Sequence, residues 1–287
     1  MIANATVGAI LYTSYLQVLG QLHPPSSERV NRVYPPPSLF QTFSAGFTAG
    51  AIQSLAAAPL DALTVRFKVA EMLDGQYKSV TEYSAAKLRE IGVRGVFAGY
   101  TLSLIKESLS YGLFFASFEF VKQQCYFSYL RYYYGSKSHT PSNATVDAEG
   151  NLTSIRPHYA IEPTFLLLAG ASASIAQQVV QHPVSKIQDI HYGRLEGIDF
   201  VKAAEKDGGR AYYRSYSKTF KTVMNRAAKA GGFRRWAYRG LMWNTLRQMP
   251  STSAGLIVFE LVRRKWNDSP SEGVVIEYSD KRRILLS

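Results

Sequence analysis

The chain has 287 residues, of which 46% are hydrophobic and only 19% charged, and it carries a formal net charge of +12. This composition excludes a disordered polypeptide. The single cysteine, Cys125, excludes an internal disulfide, and no cysteine and histidine pattern has zinc-ligand spacing, so we expect neither a metal nor a cofactor.

The first 22 residues are apolar and aromatic. They lack the basic start and cleavage site of a secretory signal, and the Arg-rich and Ser-rich bias of a transit peptide. We therefore expect a helix at this position. It is the first of five stretches long enough to cross a bilayer, which takes about 20 residues. The five stretches are residues 3–21, 39–63, 99–122, 163–188 and 240–263.

Polar segments separate these stretches. Residues 23–38 are rich in proline, and residues 126–160 contain a long polar run, so we expect both to be exposed loops. Residues 267–287 resemble a soluble tail.

Small residues recur at helix-packing spacing within two of the stretches. Gly46 and Gly50 form a G-x-x-x-G pair, and Gly170 with Ser174 repeats the pattern. Such pairs allow helix backbones to approach closely in lipid, where no hydrophobic effect drives helices together. We therefore expect these positions to lie at helix contacts.

An internal repeat is the strongest signal in the sequence. Thirteen residues separate Gly46 from Pro59, and thirteen separate Gly170 from Pro183. A second spacing, of 20 residues, runs from Gly99 to Glu119 and from Gly240 to Glu260. Equal helix spacings with a connector of variable length indicate repeated helix pairs.

The connector of the later copy is 17 residues longer and strongly basic. Between Lys202 and Arg235 there are ten Lys and Arg residues against two acids. Nucleic acid, an anionic lipid leaflet and a solvated helix face are the three interpretations that the charge leaves open.

The motifs at the helix ends resemble those of the mitochondrial carrier family. Pro59, Asp61 and Arg66 follow the pattern at the end of that family's odd-numbered helices. Two helix ends, FEFVK over residues 118–122 and FELVR over residues 259–263, match its even-numbered helices. The resemblance covers about 240 residues, as estimated from these motif positions.

The resemblance implies an all-α membrane protein, a bundle of repeated helix pairs with five of the family's six transmembrane helices. Residues 1–22 would be the second helix of an incomplete first repeat. Residues 39–125 would form the second repeat, and residues 161–266 the third, with its matrix-side insertion. For the absent first helix, we expect the protein to extend upstream of Met1, with a five-helix pseudo-carrier as the alternative.

The resemblance also implies substrate-binding positions on the even-numbered helices. These are Asn4, Lys106, Glu107, Arg247 and Gln248. Lys106 and Arg247 suit a small anion, because a charge inside a bundle is costly unless it is functional or paired. In the alternative interpretation, Lys106 and Glu107 pair with each other or with neighbouring helices.

Two gates follow from the same resemblance. Toward the matrix, the gate residues would be Pro59, Asp61, Pro183 and Gln188. On the opposite side, they would be Glu119, Lys122, Glu260 and Arg263. Ser185 and Gln188 stand where the family has an acid and a base, so we expect a weak matrix gate, reduced to Asp61 and a hydrogen bond to Gln188.

Tyr238, Arg239 and Gly240 match the family's cardiolipin-binding turn. A lipid phosphate there would interact with helix N-terminal amides and a base. Cardiolipin then explains the basic cluster without nucleic acid. We expect a monomer.

The leading prediction is a multi-pass carrier of the mitochondrial inner membrane that moves a small anionic metabolite, a carboxylate or an amino acid, by alternating access. The alternative is a carrier-like membrane scaffold or insertion factor that transports nothing. The helix pairs contradict a soluble nucleic-acid-binding protein. An enzyme has the least support, because no nucleophile and base pattern and no P-loop is present.

Overall fold

A computed structural model describes residues 2–28, 35–66, 97, 99–136, 161–202 and 208–266, four short strands, and the single residues 82, 89 and 158. The described part is built mainly from helices, as predicted. Part of the second repeat, between residues 67 and 96, lies mostly outside the described residues.

Five long helices cover the five predicted stretches. They are α1 (Ile2–Leu22), α3 (Leu39–Arg66), α4 (Tyr100–Glu119), α6 (Ile161–Lys202) and α9 (Leu241–Trp266). Four shorter helices lie between them: α2 (Pro25–Glu28), α5 (Tyr126–Ser136), α7 (Gly208–Lys229) and α8 (Phe233–Ala237). The predicted helical architecture is confirmed.

The number of membrane crossings stays a prediction. Among the described residues, length and hydropathy alone identify one helix that could span a bilayer, within α6 over Ile161–Leu195. The other long helices carry amide, hydroxyl or charged side chains, which lower the mean hydropathy of each segment.

Proline lies inside three of the long helices without ending them. α3 continues past Pro59 to Arg66, and α6 continues past Pro183 to Lys202. Pro250 lies inside α9. Each proline removes one intrahelical hydrogen bond, so these are the expected positions for a bend.

The helix that begins with α4 extends further than predicted. A π-helical turn, Phe120–Cys125, follows α4 and leads directly into α5. The prediction of a loop from residue 126 is therefore wrong for the 11 residues of α5. Burial explains the helix: Tyr126, Phe127 and Leu130 form an apolar cluster against Ile161 and Phe165 of α6.

A small four-stranded sheet also departs from the sequence prediction. Its strands are β1 (Ala144–Val146), β2 (Thr153–Ile155), β3 (Val274–Glu277) and β4 (Arg283–Leu286). The order is β1-β2-β4-β3, with β2 and β4 parallel and the other two pairs antiparallel. The segment predicted as a polar loop and the predicted tail thus share one sheet.

The described residues group into two compact units. The first contains Met1–Tyr12, Phe47–Ser110 and Gln178–Leu241, and the second contains Thr13–Gly46, Tyr111–Gln177 and Met242–Ser287.

In the first unit, α3 and α4 pack with almost no side chain between them. A Cβ built on Gly50 would lie 2.6 Å from the carbonyl oxygen of Glu107 and 3.0 Å from the Cα of Ser108. Further along, Ser54 Oγ and the Tyr100 hydroxyl are 3.3 Å apart. The two helices therefore run antiparallel in this unit.

The second unit contains similar close contacts. A Cβ on Gly46 would lie 2.6 Å from the carbonyl oxygen of Tyr111, and one on Gly170 would lie 2.9 Å from the Cα of Ser253. The prediction that the paired small residues lie at helix contacts is confirmed for these two glycines and for Gly50.

Candidate functional site

Lys106 and Glu107, two of the predicted binding residues, form an ion pair on α4. Lys106 Nζ lies 3.0 Å from Glu107 Oε1, and the two side chains are 14% and 13% exposed. The pairing that the sequence left as an alternative is therefore present. A buried charge is stable only with a partner, so each of these residues supplies what the other requires.

Asp61, on α3 of the same unit, adds a second carboxylate. It is half-buried, attracted electrostatically by Lys106 and repelled by Glu107. The cluster of Asp61, Lys106 and Glu107 thus contains two acids and one base, so with all three ionised it has an excess of negative charge. Such a cluster attracts a cationic group.

α3 and α4 pack closely at Gly50, and two polar side-chain atoms of these helices have no hydrogen-bond partner among the described residues. They are Gln53 Oε1 on α3 and Ser108 Oγ on α4, and both side chains are buried. Buried polar atoms are normally satisfied, so each has unused capacity to bind a polar ligand or a water molecule.

A closed triangle of neutral hydrogen bonds joins α4 to α6 in the first unit. Gln188 Nε2 donates to Ser103 Oγ at 2.7 Å and to the Tyr192 hydroxyl at 2.6 Å, and the two hydroxyl oxygens are 2.9 Å apart. Both amide hydrogens of Gln188 are used in this way. The structure therefore replaces the expected hydrogen bond between Gln188 and Asp61 with bonds to two residues that the sequence did not single out.

Gly99 makes room for the triangle. A Cβ built at this position would overlap the Tyr192 ring, at 2.3 Å from its Cε1 atom. The glycine that marks the repeat in the sequence is therefore required by the aromatic ring that packs on it.

The structure describes fewer contacts for the remaining predicted binding residues. Arg247 is exposed and Gln248 half-buried on α9 in the second unit, where the Gln248 carbonyl accepts a hydrogen bond from Thr252 Oγ1 at 3.2 Å. Asn4 lies in α1 of the first unit, but its side chain lies outside the described part.

Of the opposite gate, the structure describes the side chains of Glu119 and Lys122, both buried in the second unit. Gln123 Nε2 donates to Glu119 Oε2 at 2.5 Å, and Lys122 Nζ lies 5.5 Å from the centre of the Phe118 ring. The wider π-helical turn brings Gln123, the fourth residue after Glu119, beside the Glu119 carboxylate. The side chains of Glu260 and Arg263 lie outside the described part.

Pro183, the other predicted gate proline, is buried in α6, and Pro59 is half-buried in α3. Neither has a described contact that assigns it a role in closing a pathway, and both gate assignments stay predictions.

The predicted lipid-binding turn is exposed at Tyr238, Arg239 and Gly240. Gly240 has φ +86°, a conformation that favours glycine. Two residues of α6 hold this turn: Lys186 Nζ donates to the Arg239 carbonyl at 2.7 Å, and His182 Nε2 lies 3.2 Å from the same oxygen. No pattern in the amino-acid sequence indicates these contacts, because the partner atoms are backbone oxygens more than 50 residues away.

An open cleft of about 920 Å³ lies beside this turn. It is lined by Gly231, Gly232, Phe233, Arg234, Arg235 and Tyr238. The described stretch from Gly208 to Phe259 contains no acidic residue, so the cleft and the turn are strongly basic.

The basic insertion folds largely into α7, whose faces differ in character. Ser215, Thr219, Val223 and Ala227 are buried at a spacing of four residues, whereas Lys218 and Lys221 are exposed. The buried stripe anchors the helix within the first unit, and the lysines remain available to an anionic surface.

Comparison with known proteins shows which proteins the chain is similar to. The mitochondrial carrier protein family model matches residues 35–128. Solute carrier family 25 member 45 is 25% identical over 270 residues in Mus musculus and over 272 residues in Homo sapiens, in each case covering 91% of this chain and 77% of the relative. The mitochondrial arginine transporter BAC2 of Arabidopsis thaliana is 23% identical over 222 residues, covering 75% of this chain and 63% of that protein. No solved structure matches the chain.

These matches agree with the helix-end motifs, the repeat and the glycine contacts. The chain is therefore similar to the mitochondrial carrier family, whose model it matches over residues 35–128.

Proposed function

We propose that the chain transports an amino acid across the mitochondrial inner membrane, with Asp61, Lys106 and Glu107 as the binding cluster. The observation that supports this proposal is the ion pair between Lys106 and Glu107, with the Asp61 carboxylate in electrostatic range of both.

The charge of the cluster favours an amino acid over a plain carboxylate. The Lys106 ammonium can bind a substrate carboxylate, whereas Glu107 and Asp61 can bind a substrate ammonium or guanidinium. A dicarboxylate would meet one base and two acids, and like charges in a poorly hydrated site are destabilising. Of the predicted substrates, the cluster therefore suits the amino acid better, and a basic amino acid best.

The ion pair also provides a low-energy route to binding. Without substrate, Lys106 and Glu107 neutralise each other. A zwitterion can replace the single internal pair with two new pairs, so neither Lys106 nor Glu107 is left without an opposite charge when the substrate is bound. One of the relatives is named as an arginine transporter, in line with this substrate class.

Other predicted contacts complete the proposal on sequence grounds. Asn4, Arg247 and Gln248 are further binding positions by their register in the repeat. The exposed turn of Tyr238, Arg239 and Gly240, next to the basic cleft, binds cardiolipin. The protein works as a monomer.

Reconstitution in liposomes tests the substrate class. Vesicles are assayed for saturable uptake of arginine, lysine, a neutral amino acid and a dicarboxylate. We expect uptake of the amino acids, with the basic ones preferred. Saturable uptake of the dicarboxylate alone would contradict the proposed class. If none of the solutes is taken up, the proposal of transport is wrong, and the scaffold function gains support.

Two variants test the site itself. Lys106→Ala and Glu107→Gln should each lower uptake by roughly tenfold or more, since losing one charged contact removes on the order of 1.5–3 kcal/mol. Lys218→Ala, at an exposed lysine on α7, is the matched control and should retain the rate of the unmodified protein. Full activity in both site variants would remove the cluster as the binding site.

A further inference from the structure

The open cleft between the end of α7 and the turn before α9 has the features of a small-molecule site. We propose that it binds a nucleoside phosphate, with Arg234 and Arg235 on the phosphate groups and Phe233 against the base. None of the residues that line the cleft belongs to the cluster of Asp61, Lys106 and Glu107. The inference therefore does not depend on the proposed transport function.

Two glycines keep one wall of the cleft free of side chains. α7 ends at Lys229, and Gly231 and Gly232 follow with φ values of +83° and +124°, a region that favours glycine. A Cβ built on Gly232 would have nothing within 4 Å, and one built on Gly231 would have Nη1 of Arg235 as its nearest atom, at 3.6 Å. The Arg235 guanidinium thus lies over a bare backbone turn that a ligand can approach.

The charge of the cleft favours an anion. Arg234 and Arg235 are adjacent and exposed, and neither has an ion-pair partner among the described residues. Neighbouring like charges repel each other, so an anion that binds both relieves this repulsion. A guanidinium can donate two parallel hydrogen bonds to one phosphate, which makes phosphate groups the preferred anions of such a pair.

An aromatic ring next to the two arginines indicates what carries the phosphate. Phe233 is 45% exposed, and its ring centre lies 6.0 Å from that of Trp236. Trp236 is itself held by Lys186, which donates to its carbonyl at 3.0 Å. An exposed ring on a fixed support can stack on a nucleobase, whereas inorganic phosphate and the glycerol phosphates of a lipid headgroup have no planar ring to stack.

The size of the cleft agrees with a ligand larger than phosphate. Its volume of about 920 Å³ lies within the range of roughly 300–1,000 Å³ that is usual for small-molecule sites. A phosphate bound to the arginines would leave the part beside Phe233 empty. A nucleoside phosphate can contact both parts of the cleft.

Binding of ATP to the full-length protein in detergent tests the proposal, with inorganic tripolyphosphate, adenosine and cardiolipin micelles in parallel. We expect saturable binding of ATP that is at least about fivefold tighter than that of tripolyphosphate, because stacking of one base adds at least this much. ATP should also raise the Tm, since a ligand of the folded state stabilises it. Equal affinity for ATP and tripolyphosphate would contradict a nucleoside ligand, and a Tm raised by cardiolipin alone would show a lipid site.

Three variants place the ligand in the cleft. Arg234→Gln and Arg235→Gln should each weaken ATP binding by about fivefold or more, through the loss of a charged hydrogen bond. Phe233→Leu should weaken the binding of ATP but leave that of tripolyphosphate unchanged. Lys218→Gln, at an exposed lysine of α7, is the matched control and should bind ATP as the unmodified protein does. All four side chains are exposed, and an unchanged Tm without ligand verifies the fold of each variant.

One further variant separates the cleft from the candidate substrate site. Lys106→Ala should retain ATP binding, because Lys106 does not line the cleft. The inference is wrong if the unmodified protein does not bind ATP, if both arginine variants bind it normally, or if Lys106→Ala abolishes binding. Normal ATP binding without uptake of any solute would instead contradict the proposed transport function and leave the cleft as a nucleotide site.

Discussion

Lys186, in the middle of α6, donates a hydrogen bond to the backbone carbonyl of Arg239 at 2.7 Å. The same ammonium donates to the Trp236 carbonyl at 3.0 Å and lies 6.0 Å from the centre of the Trp236 ring. One side chain thus fixes the start of the exposed turn before α9, which is the turn proposed to bind lipid.

Replacing Lys186 by methionine should therefore destabilise the turn. The change keeps the length of the side chain but removes both charged hydrogen bonds, which are worth roughly 1.5–3 kcal/mol each at most. We expect a lower Tm in detergent and faster proteolysis near residue 236. Lys218→Met, at an exposed lysine, should leave the Tm unchanged, and equal behaviour of the two variants would contradict the role of Lys186.

Gly50→Ala should weaken the packing of α3 against α4. The added methyl group would meet the Glu107 carbonyl at 2.6 Å, and overpacking of this kind costs about 1–3 kcal/mol. Thermal unfolding in detergent measures the effect. Gly193→Ala is the matched control, because a Cβ there has nothing within 4 Å and alanine favours the helix by about 0.5–1 kcal/mol. A stabilised Gly50→Ala variant would disprove the close contact.

Phe127→Ala tests whether α5 is a packed helix or the loop that the sequence predicted. Phe127 is buried in the cluster with Tyr126 and Leu130, so its truncation should cost about 3–5 kcal/mol. Tyr132→Ala, at an exposed aromatic residue of the same helix, should have a much smaller effect. If both variants unfold at the temperature of the unmodified protein, residues 126–136 do not pack as described.

His23, in the segment after α1, should make the stability of the folded protein depend on pH. Burial lowers the pKa of His23 from its ordinary value of 6.5, so the folded protein favours the neutral ring. Stability is therefore retained above pH 6.5 and decreases as the pH falls through 6.5 toward the lowered folded pKa, where the unfolded chain binds the proton more readily. The dependence should be small, because the site is close to solvent.

Unfolding temperatures between pH 7.5 and 5.5, chosen to span the range of about one unit on either side of the histidine pKa, measure this dependence. His23→Gln should flatten the curve, since glutamine does not titrate and can still bond Ser26, whose Oγ lies 2.8 Å from His23 Nδ1. His158→Gln, at an exposed histidine, should leave the curve unchanged. An identical pH profile for the unmodified protein and His23→Gln would contradict the prediction.

Features that depend on local spacing could be predicted from the sequence. Gly46 and Gly50 have the spacing of helix contacts. A residue without a side chain allows close approach of whichever helix packs against it. The ion pair of Lys106 with Glu107 was also among the alternatives, since neighbouring charges of opposite sign can pair without any knowledge of the fold.

Features that depend on distant partners could not be predicted. Gln188 was expected to bond Asp61, but its partners are set by where Ser103 and Tyr192 arrive in the folded unit. The sheet was missed for a similar reason: β2 and β4 pair although more than 100 residues separate them, and each is too short to show an alternating pattern. The aromatic residues of α5 were overlooked because the polar run that follows them dominated the segment.

The π-helical turn before α5 also determines which side of α5 faces α6. A π-turn accommodates one more residue than an α-helical turn, and one residue corresponds to a rotation of about 100° around the helix axis. Deleting a single residue between Phe120 and Cys125 would therefore let the segment relax into a continuous α-helix and would keep the Tyr126 side of α5 against Phe165. If all six residues stayed but were wound as an α-helix, the aromatic side of α5 would instead turn by about 100°, away from its contact with α6.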